Sequence, residues 1–577
     1  MNHLRDLTVL VLGLGDSGLA MARWCARCGA DVRVWDSRGQ PANAAQLAEH
    51  VPQAHWVEGP LRDEAFSGVG LVLKSPGLSP QDERIAAPLV RATDAGVPVQ
   101  GELDLFARAL ADLREDRGYA PAVLAITGTN GKTTTTAMTA QLIARTGRRV
   151  AVAGNIGPTM LQTLADALQR EPAPAPIHVA DAAPDATPLP VANDAGPAEA
   201  SDVEAVEAVD AVDEASAAAA PLLLAEPSAP APVFEHLPEV WVLELSSFQL
   251  DGVGSFEPSA AAMLNITQDH LDWHGSMQHY VAAKARIFGQ RAVMVINRDD
   301  PLVEAMVPAP EVVKGAKGRK PVTISRRVVR FGIGAPRRPG DFGVIEEGGM
   351  AWLVRARELD ETIKRGKGAA PDAEELLIQR LMPADALRVR GRHNAANALA
   401  ALALATAIGC PLAPMLHGLR DYAGEPHRVQ YVASLGGVEA FDDSKGTNVG
   451  ATVAALDGLG ADKAPARLVV ILGGDGKGQD FTPLVEPVRR HARAVATIGR
   501  DAERIEVALA GTGVPMLRHA TLQDATRWCF EQAQSGDAVL LSPACASLDM
   551  FRNYAERAAV FTAEVQAIVA DHGGLAA

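Results

Sequence analysis

The stretch Ala122-Val123-Leu124-Ala125-Ile126-Thr127-Gly128-Thr129-Asn130-Gly131-Lys132-Thr133-Thr134-Thr135-Thr136 decides how the rest of the chain is read. Ala122–Thr127 is an apolar run of strand length, and a helix predicted to reach about Thr146 follows the glycines. Strand, Gly-rich turn and helix N-terminus together wrap backbone N–H groups around phosphate oxygens. In that geometry Lys132 neutralises the β- and γ-phosphates and the Thr133 hydroxyl holds Mg²⁺. The usual spacing asks for glycine at position 126, where Ile126 stands, so the flanking strand and helix carry the assignment.

Two later strand ends supply acids and metal-competent groups. Glu244-Leu245-Ser246-Ser247-Phe248-Gln249 closes the apolar run Val240–Leu245. A carboxylate there can reach a Mg²⁺ held by Thr133 across a parallel sheet. Asn265-Ile266-Thr267-Gln268-Asp269-His270 ends another strand with His270. Lys284 is the first Lys or Arg after Arg170; its spacing alone reads as a solvated helix lysine.

Strands alternate with helices before and after this unit. Leu7–Leu12, Asp31–Trp35 and Gly70–Lys74 precede it, with Gly13-Leu14-Gly15-Asp16-Ser17-Gly18 between the first strand and a helix to about Cys28. That G-x-G-x-x-G with Asp36 some twenty residues on also fits a dinucleotide fingerprint, which leaves a pyridine-nucleotide reading open. From about residue 425, strands at Val438–Phe441, Ala466–Leu472, Ala494–Ile498 and Ala538–Leu541 form a third unit. It carries Asp442-Asp443-Ser444-Lys445-Gly446-Thr447-Asn448 and Gly473-Gly474-Asp475-Gly476-Lys477-Gly478, turns suited to an anionic ligand. The expectation is an α/β chain of three domains. They run 1–105 (Rossmann-like), 106–424 (central P-loop ATPase-like) and 425–577 (C-terminal, Rossmann-like).

The 577 residues carry a net charge of −16, and residues 171–240 hold fourteen of the Asp and Glu with no Lys or Arg. The acidity is therefore local, and wholesale nucleic-acid binding is not expected. Residues 171–237, rich in Ala, Pro, Asp and Glu, are predicted to be a disordered insertion. The stretches 308–340 and 362–375, rich in Pro, Gly, Lys and Arg, are expected to be surface excursions. Five cysteines make no disulfide framework, and Cys25 and Cys28 lack the partners of a zinc or redox site. No apolar run is long enough to span a bilayer and no signal-peptide pattern opens the chain, so a cytoplasmic protein is expected.

In this order the motifs resemble the Mur ligases, which build the peptide of bacterial peptidoglycan, over nearly the whole chain. Asp443–Asn448, Gly473–Lys477 and Leu541-Ser542-Pro543-Ala544-Cys545-Ala546-Ser547-Leu548-Asp549 resemble the D-glutamate-adding members. The resemblance implies ATP-dependent joining of D-glutamate to UDP-N-acetylmuramoyl-L-alanine, with two Mg²⁺ ions, by a cytoplasmic enzyme expected to be a monomer. It implies that the first domain receives the uridine nucleotide through Gly15, Asp16, Ser17, Ser37, Arg38, Ser75, Pro76 and Gly77, with Asn155 and His270 near the muramoyl group. Gly128, Thr129, Asn130, Gly131, Lys132, Thr133, Thr134, Asn397, Arg428, Asp443 and Lys445 are implied for ATP. Thr447, Lys477, Ser547, Leu548 and Tyr554 are implied for D-glutamate. Thr133, Glu244, His270 and Lys284 are implied for metal, Lys284 as a carbamate, with Lys132, Glu244, His270 and Lys284 catalytic. Tyr554 stands where the family often has Phe, and Asp16 where it often has a neutral residue. Sister ligases for other amino acids and a non-catalytic nucleotide-binding protein remain the alternatives.

Overall fold

The computed structural model describes residues 2–172, 233–313, 322–359, 376–389 and 391–572. The first sheet is wholly parallel, in the order β3-β2-β1-β4-β5. Its strands are β1 (Thr8–Leu12), β2 (Asp31–Trp35), β3 (His55–Trp56), β4 (Leu71–Lys74) and β5 (Val99–Gln100). The central sheet takes β6 (Ala122–Thr127), β7 (Val150–Gly154), β8 (Val240–Glu244), β9 (Ala260–Met263), β10 (Val293–Asn297) and β13 (Val328–Phe331). Its order is β13-β10-β9-β6-β8-β7, again all parallel.

Parallel strands need cover on both faces, and the sequence provides it. On β6 and β8, Val123, Ala125, Trp241 and Leu243 pack into one core, which also takes in Val9, Val11 and Leu105 of the first unit. Leu124, Ile126, Val240 and Val242 point the other way, against the helix Arg392–Ala407. The apolar face that β6 shares with the first unit makes a continuous core. The third sheet runs β17-β18-β22-β19-β20-β21. It comprises β17 (Gln430–Leu435), antiparallel at the edge, then β18 (Val438–Asp442), β19 (Leu468–Gly473), β20 (Ala492–Ile498), β21 (Met516–Arg518) and β22 (Ala538–Leu541).

One expected surface excursion is instead ordered, and a further sheet follows it. Residues 308–340 are not simply an excursion: a hairpin of β11 (Glu311–Val313) and β12 (Val322–Ile324) is followed by β13, which pairs with β10 at the edge of the central sheet. Val328, Val329 and Phe331 stand among Arg326, Arg327 and Arg330, which make the stretch basic, yet Phe331 is buried. Beyond it lies an antiparallel sheet absent from the sequence reading: β14 (Phe342–Glu347), β15 (Met350–Glu358) and β16 (Leu376–Pro383). The stretch 362–375 lies outside the described residues, as does most of 171–237. At the ends of the latter, the Glu171 carboxylate accepts backbone N–H bonds from Glu235, His236 and Leu237 at 2.7–2.8 Å, which ties the helix Met160–Arg170 to the approach of β8.

Candidate active site

The turn after β6 sits at the carboxyl edge of the central sheet, where open parallel sheets place ligands. Gly131 caps the helix Lys132–Ala144 at φ 84°, and a Cβ there would lie 2.6 Å from Asn397 Oδ1. Only glycine fits, and Asn397 is thereby set against the loop. Thr129 Oγ1 is spent on the protein, bonding Thr267 O, Thr267 N and the Tyr280 hydroxyl at 2.9–3.1 Å. Asn130 is held by Asn265 through both backbone groups. Thr134 is buried in the first turn of the helix.

Two lysines converge on this loop. Lys132 Nζ donates to Gly128 O at 2.9 Å and Thr129 O at 2.8 Å; Lys284 Nζ donates to the same Gly128 O at 2.8 Å and to Thr127 Oγ1 at 3.2 Å. Lys284 is thus no solvated helix lysine, since only 2% of it is exposed. Burial, then the Lys132 charge, hold its ammonium well below the usual lysine range, against the pull of Asp269 and Glu244. Burial also lowers Lys132, which Glu244 and Asp269 partly restore. A lysine pushed toward its neutral amine is nucleophilic at ordinary pH.

Glu244 ends β8 fully buried. Its Oε1 accepts from Asn155 Nδ2 at 2.8 Å, while Oε2 has no hydrogen-bond partner. A buried carboxylate oxygen left over in this way suits a cation. His270 adopts φ 53°, caps the helix Leu271–His274, and stacks edge-on against Phe248 at 4.6 Å. Burial lowers its pKa, Asp269 opposes that, and Lys477 and Lys132 add to the lowering. No group of three or more His, Cys, Asp or Glu gathers among the described residues. The implied metal set contains only two of those types, Glu244 and His270, beside Thr133 and a lysine.

The third unit reaches into this site. Arg428 Nη2 donates to Thr133 Oγ1 at 2.5 Å, and Asn448 Nδ2 to Asn130 Oδ1 at 3.0 Å. Asp443 is buried beneath, accepting from Ser542 Oγ at 2.6 Å; burial pushes its pKa up to about 7, against the lowering by Ser542 and Arg428. Lys445 Nζ lies 3.8 Å from the Tyr554 ring centroid. Asp475 and Ala546 exchange backbone bonds of 2.9 Å, which brings the turn carrying Lys477 (φ 49°) beside the one carrying Ser547 and Leu548. Ser547 is buried, Leu548 exposed, and Thr447 half-buried on the loop that Lys445 opens.

The first unit contributes a cleft of about 520 Å³ lined by Gly15, Asp16, Ser17, Ser37, Arg38, Ser75, Pro76, Gly77 and Asn155. Of the residues implied for the nucleotide sugar, only His270 is not in its walls; it sits behind Phe248, which is. Arg84, Thr159, Ser246 and Gln249 line it too and were not foreseen. The Ser246–Gln249 pair had a legible signal, a capping box directly after Glu244. Asp36 is not a free ribose acceptor. Its Oδ2 takes Leu14 N at 2.6 Å and Arg38 Nη2 at 2.8 Å, and its Oδ1 takes Arg38 N and Nε. Burial works to raise this acid, but the hydrogen bonds from Arg38 and Leu14 hold it at about 2.

With this geometry in place, comparison with known proteins places each unit. Residues 7–101 match the Mur ligase MurD-like N-terminal domain, 126–173 and 230–321 the Mur ligase middle domain, and 427–545 the glutamate ligase domain of Mur ligases. The chain is 53% identical to the UDP-N-acetylmuramoylalanine--D-glutamate ligase of Albidiferax ferrireducens, over 98% of this chain and 97% of that one. It is 49% identical to the protein of the same name from Ralstonia nicotianae, over 98% of each, and 46% to that of a Polaromonas strain, over 99% and 100%. The chain belongs to the Mur ligase family. The Mur ligase middle domain match leaves out 174–229, so that part of the predicted insertion has no counterpart in the domain's common pattern. No helix among the described residues is long and apolar enough to cross a membrane.

Proposed function

We propose that the chain joins the carboxylate of UDP-N-acetylmuramoyl-L-alanine to the amine of D-glutamate, with ATP cleaved to ADP and phosphate. The observation that carries this is the convergence on one loop of Lys132, Lys284 and the third unit's Arg428, opposite the unpartnered Glu244 oxygen. The whole-length likeness to D-glutamate ligases names the substrates. Units 1–105, 106–424 and 425–577 would take the nucleotide sugar, ATP and the amino acid in turn.

A carboxylate resists attack by an amine, so it is first activated. Its oxygen attacks the γ-phosphorus, the bond to the β-bridging oxygen breaks, and ADP leaves. The amine nitrogen then attacks the acyl carbon, and the tetrahedral intermediate expels phosphate as the nitrogen loses its proton to solvent. Lys132 and Arg428, aimed at the same loop, offset the charge that gathers between γ-phosphate and carboxylate. Asn397 and Asp443 border the nucleotide, and a cavity of about 890 Å³ beside Arg428 and Asn394 has room for its base. The cleft of the first unit holds the uridine diphosphate, with Arg38 and Arg84 as its cations. Lys477, Thr447, Ser547, Leu548 and Tyr554 face the amino acid.

Thr133 and Glu244 would hold one Mg²⁺, and His270 with a carbamylated Lys284 a second. Bound Mg²⁺ supplies further positive charge to the phosphates. The residues present suit this, because Glu244 Oε2 is buried with no donor. Carbamylation needs the neutral Lys284 amine to attack CO₂, forming an N–C bond and releasing one proton, and burial favours that form. The same reading makes the protein a cytoplasmic enzyme acting as a monomer. ADP release measured over a panel of amino acids tests the proposal: D-glutamate should support it, and diaminopimelate or L-alanine should not.

A further inference from the structure

The helix Tyr554–Asp571 buries a cation that the chemistry above does not use. Arg557 is 1% exposed, among the largest fully buried side chains. Its Nε donates to Ser444 Oγ at 2.9 Å, Nη2 to Ser444 O at 2.8 Å and Nη1 to Cys545 O at 3.1 Å. Ser444 Oγ passes the contact on, donating to Tyr554 O at 3.0 Å. None of these partners is a carboxylate. A buried guanidinium is costly unless its surroundings use its charge or its rigid fork. Here the hydrogen bonds go to two neighbouring loops. The fork joins the loop after β18, which continues into Lys445 and Thr447, to the loop after β22, which continues into Ser547 and Leu548. Through Ser444 it also fixes the first residue of its own helix, whose ring lies under the Lys445 ammonium.

We propose that Arg557 is a positioning residue for the amino-acid substrate. Its fork sets the spacing of the two loops and the Tyr554 ring. The inference rests on the reading of these loops as the D-glutamate site. Arg557 does not touch the substrate; it acts through Ser444, Cys545 and Tyr554.

Steady-state kinetics of ADP release on R557K, R557M and S444A, alongside the wild type, test it. Losing a charge-assisted bond in a buried site is worth roughly tenfold or more in affinity. KM for D-glutamate should therefore rise at least about tenfold in R557M. It should rise less in R557K, which keeps the charge but not the fork, and about threefold in S444A, which keeps the guanidinium but loses its Nε bond and the link to Tyr554. KM for ATP and for the nucleotide sugar should stay within about twofold in all three. A merely structural arginine would lower the melting temperature and shift the three KM values together, or lower kcat alone; either pattern overturns the proposal. If R557M does not fold, R557K and S444A decide by the same criterion. Wild-type turnover that does not depend on D-glutamate would instead remove the functional reading, and it would show before any variant is made.

Discussion

Two glycine-rich turns in this chain look alike and sit on different chemistry. Both follow a buried parallel strand, both open a helix, and both lie at the carboxyl edge of a sheet. Behind Gly13–Gly18 stands Asp36, locked by Leu14 N–H and the Arg38 fork. Behind Gly128–Thr133 stand Lys132 and Lys284, bonded to one carbonyl, and an acid with an oxygen to spare. Glycine only lets the backbone approach a ligand. The charged groups packed behind the turn decide which ligand that is and what happens to it. At Gly18 the need is plainly steric, since a Cβ would lie 1.9 Å from Gly13 O; that contact says nothing about nucleotides.

The comparison breaks most sharply at Lys132. K132M should cut ADP release at saturating substrates about a thousandfold, by removing a charged donor to the phosphates. Calorimetric affinity for the nucleotide sugar should stay within about twofold, since that ligand belongs to the other turn; a parallel loss would mean the turns do not act separately. Next comes Glu244. E244Q keeps an oxygen for Asn155 but drops the charge, so turnover should fall on the order of a hundredfold, and half-maximal rate should need more Mg²⁺. An unchanged Mg²⁺ titration would take Glu244 out of the metal site.

The first turn should respond in the opposite sense. D36N weakens the clamp on Leu14 and Arg38, so KM for the nucleotide sugar should rise roughly tenfold while KM for ATP holds. The smallest expected effect concerns Asp443, whose pKa burial lifts to about 7. As the pH falls through 7 this acid takes up a proton, and KM for ATP should climb severalfold. D443N should flatten that dependence. Stability moves the other way: the folded state keeps a proton that the unfolded chain sheds, so Asp443's contribution to stability declines as pH rises between about 4 and 7. A stability that rises across this window in the wild type relative to D443N would contradict the assignment.

Much of the scaffold was legible because parallel strands buried on both faces are runs of apolar residues. Ala122–Thr127 and Ala538–Leu541 are observed with the bounds read from sequence. The edge strand β13 and the sheet β14–β15–β16 were not legible, because their apolar residues are interrupted by Arg, Glu and Gln and follow neither a clean alternation nor an unbroken apolar run. For the site, strand-end motifs pointed to Glu244 and His270 before any family was invoked. Lys284 could not be found that way. Its spacing on a helix resembles a surface lysine, and only the fold shows it turned inward against Gly128 O. Arg557 carried no signal at all, since a lone arginine in an alanine-rich helix reads as solvated. Asp36 was legible as a strand-end acid but not as a satisfied one, because its partners Leu14 and Arg38 are set by the turn's conformation.

The account turns on a carboxylate activated at the Gly128–Thr133 loop and then captured by D-glutamate. The direct measurement is ADP formation with UDP-N-acetylmuramoyl-L-alanine, ATP and Mg²⁺, with and without D-glutamate, followed by mass analysis of the nucleotide-sugar product. The account predicts ADP release that depends on D-glutamate, with the product heavier by one glutamyl residue. ADP release indifferent to the amino acid, or a product of unchanged mass, would contradict it.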